Sequence, residues 1–143
     1  MKDLNSYQHS VAQCIYHIQW TTKYRYNMFR KEKYQILCDE LIRNIAQKHG
    51  MEIIELTVQT DHVHAVIKAK PSMSASECTR LLKGASSREL FKQVQNYGLR
   101  YPKRHFWSTG KFIRTVGSVD LETTNHYVAR QRTYQTTLTN YHS

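Results

Sequence analysis

Residues 51–69, MEIIELTVQTDHVHAVIKA, predict the β-hairpin around which the rest of the chain can be arranged. Residues 51–59 form a first strand, one face of which is expected to carry Ile54, Leu56 and Val58. A tight turn at Thr60-Asp61 leads into a second strand, His62–Ala69. Because side chains alternate along a strand, this second strand has an apolar face with Val63, Ala65 and Ile67, and an opposite face with His62, His64 and Val66.

The segments on either side of this hairpin predict a split βαβ arrangement. Before it come a half-buried strand, 11–21, and an amphipathic helix, 31–49. After it, Ser74 and Glu77 form a capping box that opens a second helix, and a fourth strand follows at 111–117. The order predicts an α+β fold with a ferredoxin-like antiparallel sheet (β-α-β-β-α-β). An additional C-terminal helix is expected at about 120–133.

The length of 143 residues predicts one domain, 1–143, with a tail at 134–143 that has little to bury and is expected to be flexible. The cysteines Cys14, Cys38 and Cys78 are too far apart for a zinc pattern and odd in number, which favours reduced core thiols. No apolar stretch has the length of a membrane span, and no signal-peptide pattern opens the chain. A cytoplasmic protein with no membrane partner is therefore expected.

The charge of the chain predicts a polyanionic partner. It has 21 Lys+Arg against 11 Asp+Glu, a formal net charge of +10. The segment 99–119 holds no acidic residue and interleaves cations with rings: Arg100, Tyr101, Lys103, Arg104, Phe106, Trp107, Lys111, Phe112 and Arg114. Cations that contact phosphates and rings that stack on unpaired bases are typical of single-strand binding. The alternative, a solvated basic loop, remains equally open.

Two pairs of residues carry the candidate chemistry. His62 and His64 leave one face of their strand and could ligate one divalent ion, although a solvated pair is the alternative. Tyr127 and Gln131 are four residues apart on the predicted last helix and share one of its faces, although a core or rim tyrosine is the alternative. If that helix crosses the histidine face, Gln131 adds an oxygen ligand and Tyr127 points at a bound phosphate.

Without thiolates, such a site suits Mg²⁺ or Mn²⁺. Asp61 either orients a histidine ligand or simply forms the turn. His17 either borders the site or, the favoured interpretation, faces solvent from the first strand. His126, beside Tyr127 in the chain, is expected to face solvent as well.

The motifs of this chain resemble those of the TnpA-type single-strand transposases of insertion sequences, members of the HUH endonuclease superfamily. The resemblance spans nearly the whole chain and follows the family's order. It is carried by Tyr16-His17, Trp20, Lys23-Tyr24-Arg25, Asp61-His62-Val63-His64, Leu82-Lys83-Gly84, Ser86-Ser87-Arg88, Phe106-Trp107, Gly110, Phe112, Thr115-Val116-Gly117, Tyr127 and Gln131.

The resemblance implies a mechanism and partners. Tyr127 would attack a DNA phosphate to leave a 5′-phosphotyrosine and a 3′-hydroxyl, with Mg²⁺ or Mn²⁺ held by His62, His64 and Gln131. The DNA would be single-stranded with hairpin ends, and the protein a homodimer with composite active sites. Candidate DNA contacts are Lys23, Arg25, Lys83, Arg88, Arg100, Lys103, Arg104 and Lys111.

Three other interpretations compete with this one. A rolling-circle initiator or relaxase uses the same chemistry but usually carries further domains. A domesticated repeat-associated HUH nickase is closer to the transposases. A non-catalytic ferredoxin-like nucleic-acid-binding module of the RNA-recognition type would present aromatic residues on its sheet. The exposed positions of the predicted strand His62–Ala69 carry histidines instead, which argues against that module.

Overall fold

A computed structural model of the chain describes residues 13–119. The strands are β1 (Gln13–Thr21), β2 (Glu52–Val58), β3 (His62–Ala69) and β4 (Phe112–Val119). The helices are α1 (Glu32–Lys48), α2 (Ala75–Gln93) and the short α3 (Tyr97–Arg100), and a 3₁₀ turn, Lys23–Arg25, follows β1. The expected C-terminal helix at 120–133 and the tail at 134–143 lie outside the described residues.

The four strands form one sheet in the order β2-β3-β1-β4. Every neighbouring pair in this sheet is antiparallel. Strands β1 and β3, which are not consecutive in the chain, therefore lie side by side at its centre. This arrangement confirms the predicted α+β, ferredoxin-like fold, because α1 and α2 each connect two strands that have one other strand between them in the sheet. Strand β3 lies between β1 and β2, and β1 lies between β3 and β4.

The main hydrophobic core lies between one face of the sheet and helices α1 and α2. Its sheet side includes Tyr16, Ile18 and Trp20 of β1 and Val63, Ala65 and Ile67 of β3. Its helix side includes Ile42 and Ile45 of α1 and Cys78, Leu82 and Leu90 of α2. Since the helices cover this face, the histidines of β3 point to the other side of the sheet.

Strand β2 differs from its predicted pattern at Ile54. A β-bulge interrupts the pairing with β3, so that Ile53 pairs with Ile67 and Glu55 pairs with Val66. Ile53, rather than Ile54, therefore packs against the core together with Leu56 and Val58. The extra residue of a bulge reverses the alternation of side chains, which explains why the prediction for Ile54 was wrong.

Helix α2 begins where the sequence predicts. The Oγ of Ser74 accepts a hydrogen bond from the backbone N–H of Glu77 at 3.1 Å, which satisfies one of the amides that a helix start leaves unpaired. The helix continues through Gly84 without a break. Short helix α3 was not predicted, since four residues are too few for a hydrophobic period to show.

The three cysteines are thiols and not disulfides; Cys38 and Cys78 are buried and Cys14 is half-buried. Between residues 13 and 119, no helix combines the length and the apolar character required to span a bilayer.

Candidate active site and nucleic-acid interface

Strand β3 places His62 and His64 on the face of the sheet opposite helices α1 and α2. Both side chains are half-buried. In the pairing of β1 with β3, His62 lies opposite Thr21 and His64 lies opposite Gln19. Two imidazoles two residues apart thus share one polar surface at the centre of the sheet, as the alternation along the strand predicts.

A chain of polar contacts fixes the ring of His62. Its Nδ1 lies 2.9 Å from Oδ1 of Asp61, and Oδ2 of Asp61 accepts a bond from Nε of Arg25 at 3.2 Å. The hydrogen bond to His62, helped by Arg25, holds the pKa of the Asp61 carboxyl below its usual value. The carboxylate accepts a hydrogen bond from Nδ1–H of His62, so the Nε2 lone pair of a neutral ring faces away from Asp61.

Asp61 lies in the turn between β2 and β3 and also contacts the end of β1 through its backbone. Its backbone carbonyl accepts from the N–H of Thr22 at 2.9 Å and from the hydroxyl of Thr22 at 3.2 Å. The hydroxyl of Thr22 also lies 2.7 Å from the carbonyl of Tyr26. Asp61 therefore joins the β2-β3 turn to the end of β1 and orients a histidine at the same time.

His17 belongs to the same surface, which corrects the expectation that it faces solvent. The ring centroids of His17 and His64 are 5.7 Å apart. Burial, followed by the neighbouring charges of His64 and Arg114, lowers the pKa of His17 to about 4. Burial also lowers the pKa of His64, with a further contribution from His62. Both rings are therefore neutral at pH 7, the state in which an imidazole can bind a metal ion.

Burial on the histidine face supports this correction. Ile15 of β1 and Val66 of β3 are both fully buried, although neither belongs to the core beneath the helices. Val66 is paired with His17, so an apolar patch lies directly beside the histidines. The residue pattern of a single strand could not predict that His17 lies beside Val66, because this contact depends on how β1 and β3 pair.

Within the described range, 13–119, no three side chains of His, Cys, Asp and Glu converge as a metal-binding group. Tyr127, Gln131 and His126 lie outside that range. The predicted ligand set of His62, His64 and Gln131 is therefore described only for its two histidines. The chemistry of these two suits a divalent ion, because one ring is oriented by a carboxylate and the other has a lowered pKa.

Most rings in the acid-free segment are core residues and cannot stack on a base. Tyr101 is 2% exposed, Phe106 0% and Trp107 6%, which corrects their expected role in DNA binding. Trp107 packs edge-on against Trp20 with ring centroids 5.8 Å apart, and its Nε1 donates to Oγ of Ser86 at 2.9 Å. Phe112, by contrast, is 64% exposed.

The side chain of Lys83 connects helix α2 to the segment before β4. Its Nζ donates to the carbonyl of Ser108 at 2.7 Å and approaches that of Gly110 at 3.4 Å. Burial and the nearby charge of Lys111 lower the pKa of its ammonium. The ammonium of Lys83 is thus engaged by the protein itself, whereas Lys111 is exposed.

The remaining candidate DNA contacts fall into two groups. Arg88, Lys103 and Arg104 are exposed residues on α2 and on the loop after α3. Lys23, Arg25 and Arg100 instead meet around an aromatic cluster, which consists of Tyr24, Tyr26 and Tyr101. The guanidinium carbon of Arg100 is 4.2 Å from the ring centroid of Tyr26. The sequence resemblance named Lys23-Tyr24-Arg25 but gave no sign that Tyr26 and Arg100 would join it.

Comparison with known proteins assigns the chain to a family. The family model described as "Transposase IS200 like" matches residues 10–131. The transposase for insertion sequence element IS200 of Salmonella typhimurium is 33% identical over 117 residues, 82% of this chain and 76% of that protein. The ISDra2 transposase TnpA of Deinococcus radiodurans is 31% identical over 121 residues, 85% of this chain and 86% of that protein.

Solved structures share the fold. A candidate transposase from Deinococcus radiodurans R1 superimposes with a TM-score of 0.66 at 27% identity, covering 86% of this chain and 91% of that one. A REP-associated tyrosine transposase bound to a REP hairpin superimposes with a TM-score of 0.51 at 13% identity, covering 80% of this chain and 62% of that one; this likeness concerns the fold alone. With a family match over most of its length and relatives above 30% identity, the chain belongs to the IS200-like transposase family.

Proposed function

We propose that this transposase cleaves and rejoins single-stranded DNA at the ends of an insertion sequence, with Tyr127 as the nucleophile. The observation that carries this function is the surface at the centre of the sheet, where His62 and His64 share one face and Asp61 orients the first of them. A polar, histidine-bearing surface in a family of transposases is suited to hold a phosphate near a reactive side chain.

The proposed reaction consists of two transesterifications, and each of them breaks one phosphoester bond and forms another. The phenol oxygen of Tyr127 attacks the scissile phosphorus and loses its proton, while the bond from phosphorus to the 3′-oxygen breaks and that oxygen leaves as a hydroxyl. The DNA then carries a 5′-phosphotyrosine. In the second exchange a different 3′-hydroxyl attacks this phosphorus and returns the phenol, so no nucleotide cofactor is required.

His62, His64 and Gln131 would hold Mg²⁺ or Mn²⁺ in this enzyme. A bound divalent ion supplies charge that polarises and orients the phosphate. The residues on the sheet match this task. Asp61 accepts a hydrogen bond from Nδ1–H of His62, which leaves the Nε2 lone pair available to a metal ion. The lowered pKa of His64 keeps that ring unprotonated at pH 7.

The substrate is proposed to be single-stranded DNA with hairpin ends, bound by a homodimer whose active sites combine residues of both protomers. The REP-associated relative in fold is bound to a REP hairpin, which supports a hairpin as the probe to use first. The basic residues around β1 and α3 supply the charge that a DNA backbone requires.

Trapping of a covalent adduct tests the nucleophile. Wild-type protein incubated with 5′- and 3′-labelled hairpin DNA and Mg²⁺ is expected to retain the strand 3′ of the cut, and peptide mass spectrometry is expected to place it on Tyr127. Tyr127→Phe should lose the adduct and all cleavage but keep its affinity for DNA. Tyr134→Phe, a matched change in the same C-terminal stretch, should retain both.

The same assay tests the metal. EDTA should stop cleavage by the wild-type protein, and Mg²⁺ or Mn²⁺ should restore it. An adduct on another residue, or cleavage by Tyr127→Phe, would remove the nucleophile assignment. Cutting that continues unchanged in EDTA would instead remove the ion from the mechanism and leave the tyrosine in place.

A further inference from the structure

An open pocket of about 500 Å³ lies between the segment that follows β1, the start of α1, the end of α2 and the short helix α3. Four of its eleven lining residues are cations, namely Arg25, Arg30, Lys31 and Arg100. None of these eleven is acidic; two, Asn27 and Asn96, are amides. The volume falls within the range of roughly 300–1,000 Å³ that is usual for small-ligand sites. A concave surface of this charge attracts an anion the size of a nucleotide.

Aromatic rings supply the other half of a nucleotide site. Tyr26 and Tyr34 line the pocket, and both are half-buried. The ring of Tyr26 stacks on buried Tyr101, with centroids 5.6 Å apart and planes inclined by 12°. The guanidinium of Arg100 lies 4.2 Å from the Tyr26 centroid. These contacts fix the Tyr26 ring and the guanidinium over it, and both rings and guanidinium planes are groups on which a base can stack, while the nearby cations can contact the attached phosphate.

The backbone is held in an unusual conformation beside this pocket. Tyr24 and Arg25 have φ angles of 60° and 52°, in the left-handed region that residues other than glycine seldom occupy. Tertiary hydrogen bonds fix this turn: the N–H of Lys23 donates to the carbonyl of Phe106 at 2.8 Å, and Tyr101 donates to the carbonyl of Lys23 at 2.6 Å. Strain that the fold maintains in this way is commonly associated with binding sites.

Arg25 connects the pocket to the histidine surface. Its side chain lines the pocket, and its Nε also bonds to Asp61, which in turn orients His62. A DNA strand whose scissile phosphate lies at the histidines would therefore have a neighbouring nucleotide within reach of the pocket. Tyr24, next to Arg25 in the chain, is 67% exposed.

We infer that this pocket binds one unpaired nucleotide of the DNA strand, with the base against Tyr26 and Tyr34 and the phosphate at Arg25, Arg30 and Arg100. This assignment rests on the DNA-cleaving function proposed above and adds to it a site for a flanking nucleotide. Rings and cations together favour a nucleotide over a simple anion, because a simple anion has no base that could stack on a tyrosine.

Binding of two matched strands tests this inference. The probes are fluorescein-labelled oligothymidine of fifteen nucleotides and a strand of the same length and charge in which abasic residues replace the bases, both measured by anisotropy in EDTA so that no cleavage intervenes. Wild-type protein should prefer the strand with bases by about fivefold or more, the low end expected for stacking on a ring. Tyr26→Leu should reduce that preference by about fivefold, and Tyr26→Phe should keep it.

The charge is tested separately with exposed residues. Arg100→Gln should weaken binding of both strands alike, by about threefold or more for one lost phosphate contact. Arg80→Gln is the matched control, because Arg80 lies near the start of α2, about 20 Å along that helix from its end at the pocket. In addition, a strand with 5-iododeoxyuridine should photocrosslink to Tyr24, Tyr26 or Tyr34.

Two results would overturn the pocket assignment: equal base preference in Tyr26→Leu and wild type, or equal losses in Arg100→Gln and Arg80→Gln. Should Tyr26→Leu melt at a lower temperature than wild type, the arginine pair and the crosslink still decide. The failure of the proposed function gives a different pattern, in which the base preference follows Tyr26 but no DNA adduct forms on Tyr127. An adduct on Tyr127 with no effect of either pocket variant removes the pocket alone.

Discussion

At the scale of single residues, Asp61 connects His62 to Arg25 through its side chain and to Thr22 through its backbone. One carboxylate oxygen orients His62, the other holds Arg25, and its backbone carbonyl receives two bonds from Thr22. Replacement by asparagine keeps the size and the turn but removes the charge. The amide oxygen can still accept a hydrogen bond from Nδ1–H of His62, although a weaker one than a carboxylate accepts.

Asp61→Asn is therefore expected to lower Mg²⁺-dependent DNA cleavage by about 10- to 100-fold, the usual cost of losing a carboxylate behind a histidine ligand. The Mg²⁺ concentration that gives half-maximal cleavage should rise as well, which a merely structural role would not produce. Asp39→Asn is the control, since this half-buried carboxylate pairs with Arg43 on α1 and not with a histidine among the ion pairs of residues 13–119. Cleavage by Asp61→Asn at the wild-type rate and the wild-type Mg²⁺ dependence would contradict the orienting role.

The sequence pattern predicted the position of a side chain where this depends on one strand alone. It did not predict contacts that depend on how two strands pair. The shared face of His62 and His64 follows from alternation along β3 alone. The contact between His17 and His64 depends on the register of β1 against β3, which no pattern within β1 contains. For the same reason, the interpretation of His17 as solvent-facing was wrong.

At the scale of elements, Lys83 joins α2 to the segment that leads into β4. Its ammonium bonds to carbonyls of Ser108 and Gly110. A hydrogen bond from a charged group contributes more than a neutral one, and its loss leaves the carbonyls without their donor. Lys83→Met keeps the apolar stem of the side chain and removes only the ammonium.

We expect Lys83→Met to lower the free energy of unfolding by about 1–2 kcal/mol, measured by urea denaturation with circular dichroism. Lys92→Met is the matched control on the same helix, because Lys92 is exposed. This control should lower the free energy of unfolding by only a small fraction of that amount. Equal stability of the two variants would show that the ammonium of Lys83 is not a structural connection. It would return Lys83 to the candidates for phosphate binding.

Element boundaries could be predicted from the sequence wherever a period or a cap marks them. The residues of β3 and the start of α2 at Ser74 were predicted as they stand in the structure. The bulge in β2 was not, because Ile53 and Ile54 are both apolar and either could face the core. Nor could the burial of Tyr101, Phe106 and Trp107 be predicted, since an irregular segment has no period to separate inside from outside.

At the scale of the whole molecule, the fold gathers part of its positive charge at one end. Strand β1 ends, and β3 begins, beside the turn that carries Lys23 and Arg25. Arg100 reaches the same turn through Tyr26, and Lys111 precedes β4, whose first residue pairs with Gln19. The end of β3 at Ala69, the end of α1 and the start of α2 lie toward the opposite end of the sheet.

This distribution can be tested apart from the net charge of +10. Each phosphate contact with a single strand contributes about 0.7 to the slope of log affinity against log salt concentration. A triple variant with Arg25, Arg100 and Lys111 changed to glutamine should therefore lose about 2 units of that slope. The control triple variant changes Lys48, Lys70 and Arg80, which are exposed residues toward the opposite end, and should keep the wild-type slope.

Both triple variants carry the same net charge, so a difference between them reports where the DNA lies and not how basic the protein is. Anisotropy titrations of a labelled fifteen-nucleotide oligothymidine between 50 and 200 mM salt, the range over which several contacts change affinity by about 10³ or more, measure both slopes. Equal reductions of the slope in the two variants would mean that DNA is attracted by the overall charge alone. The cations at the end of the sheet beside His62 would then not be the preferred contacts of the DNA backbone.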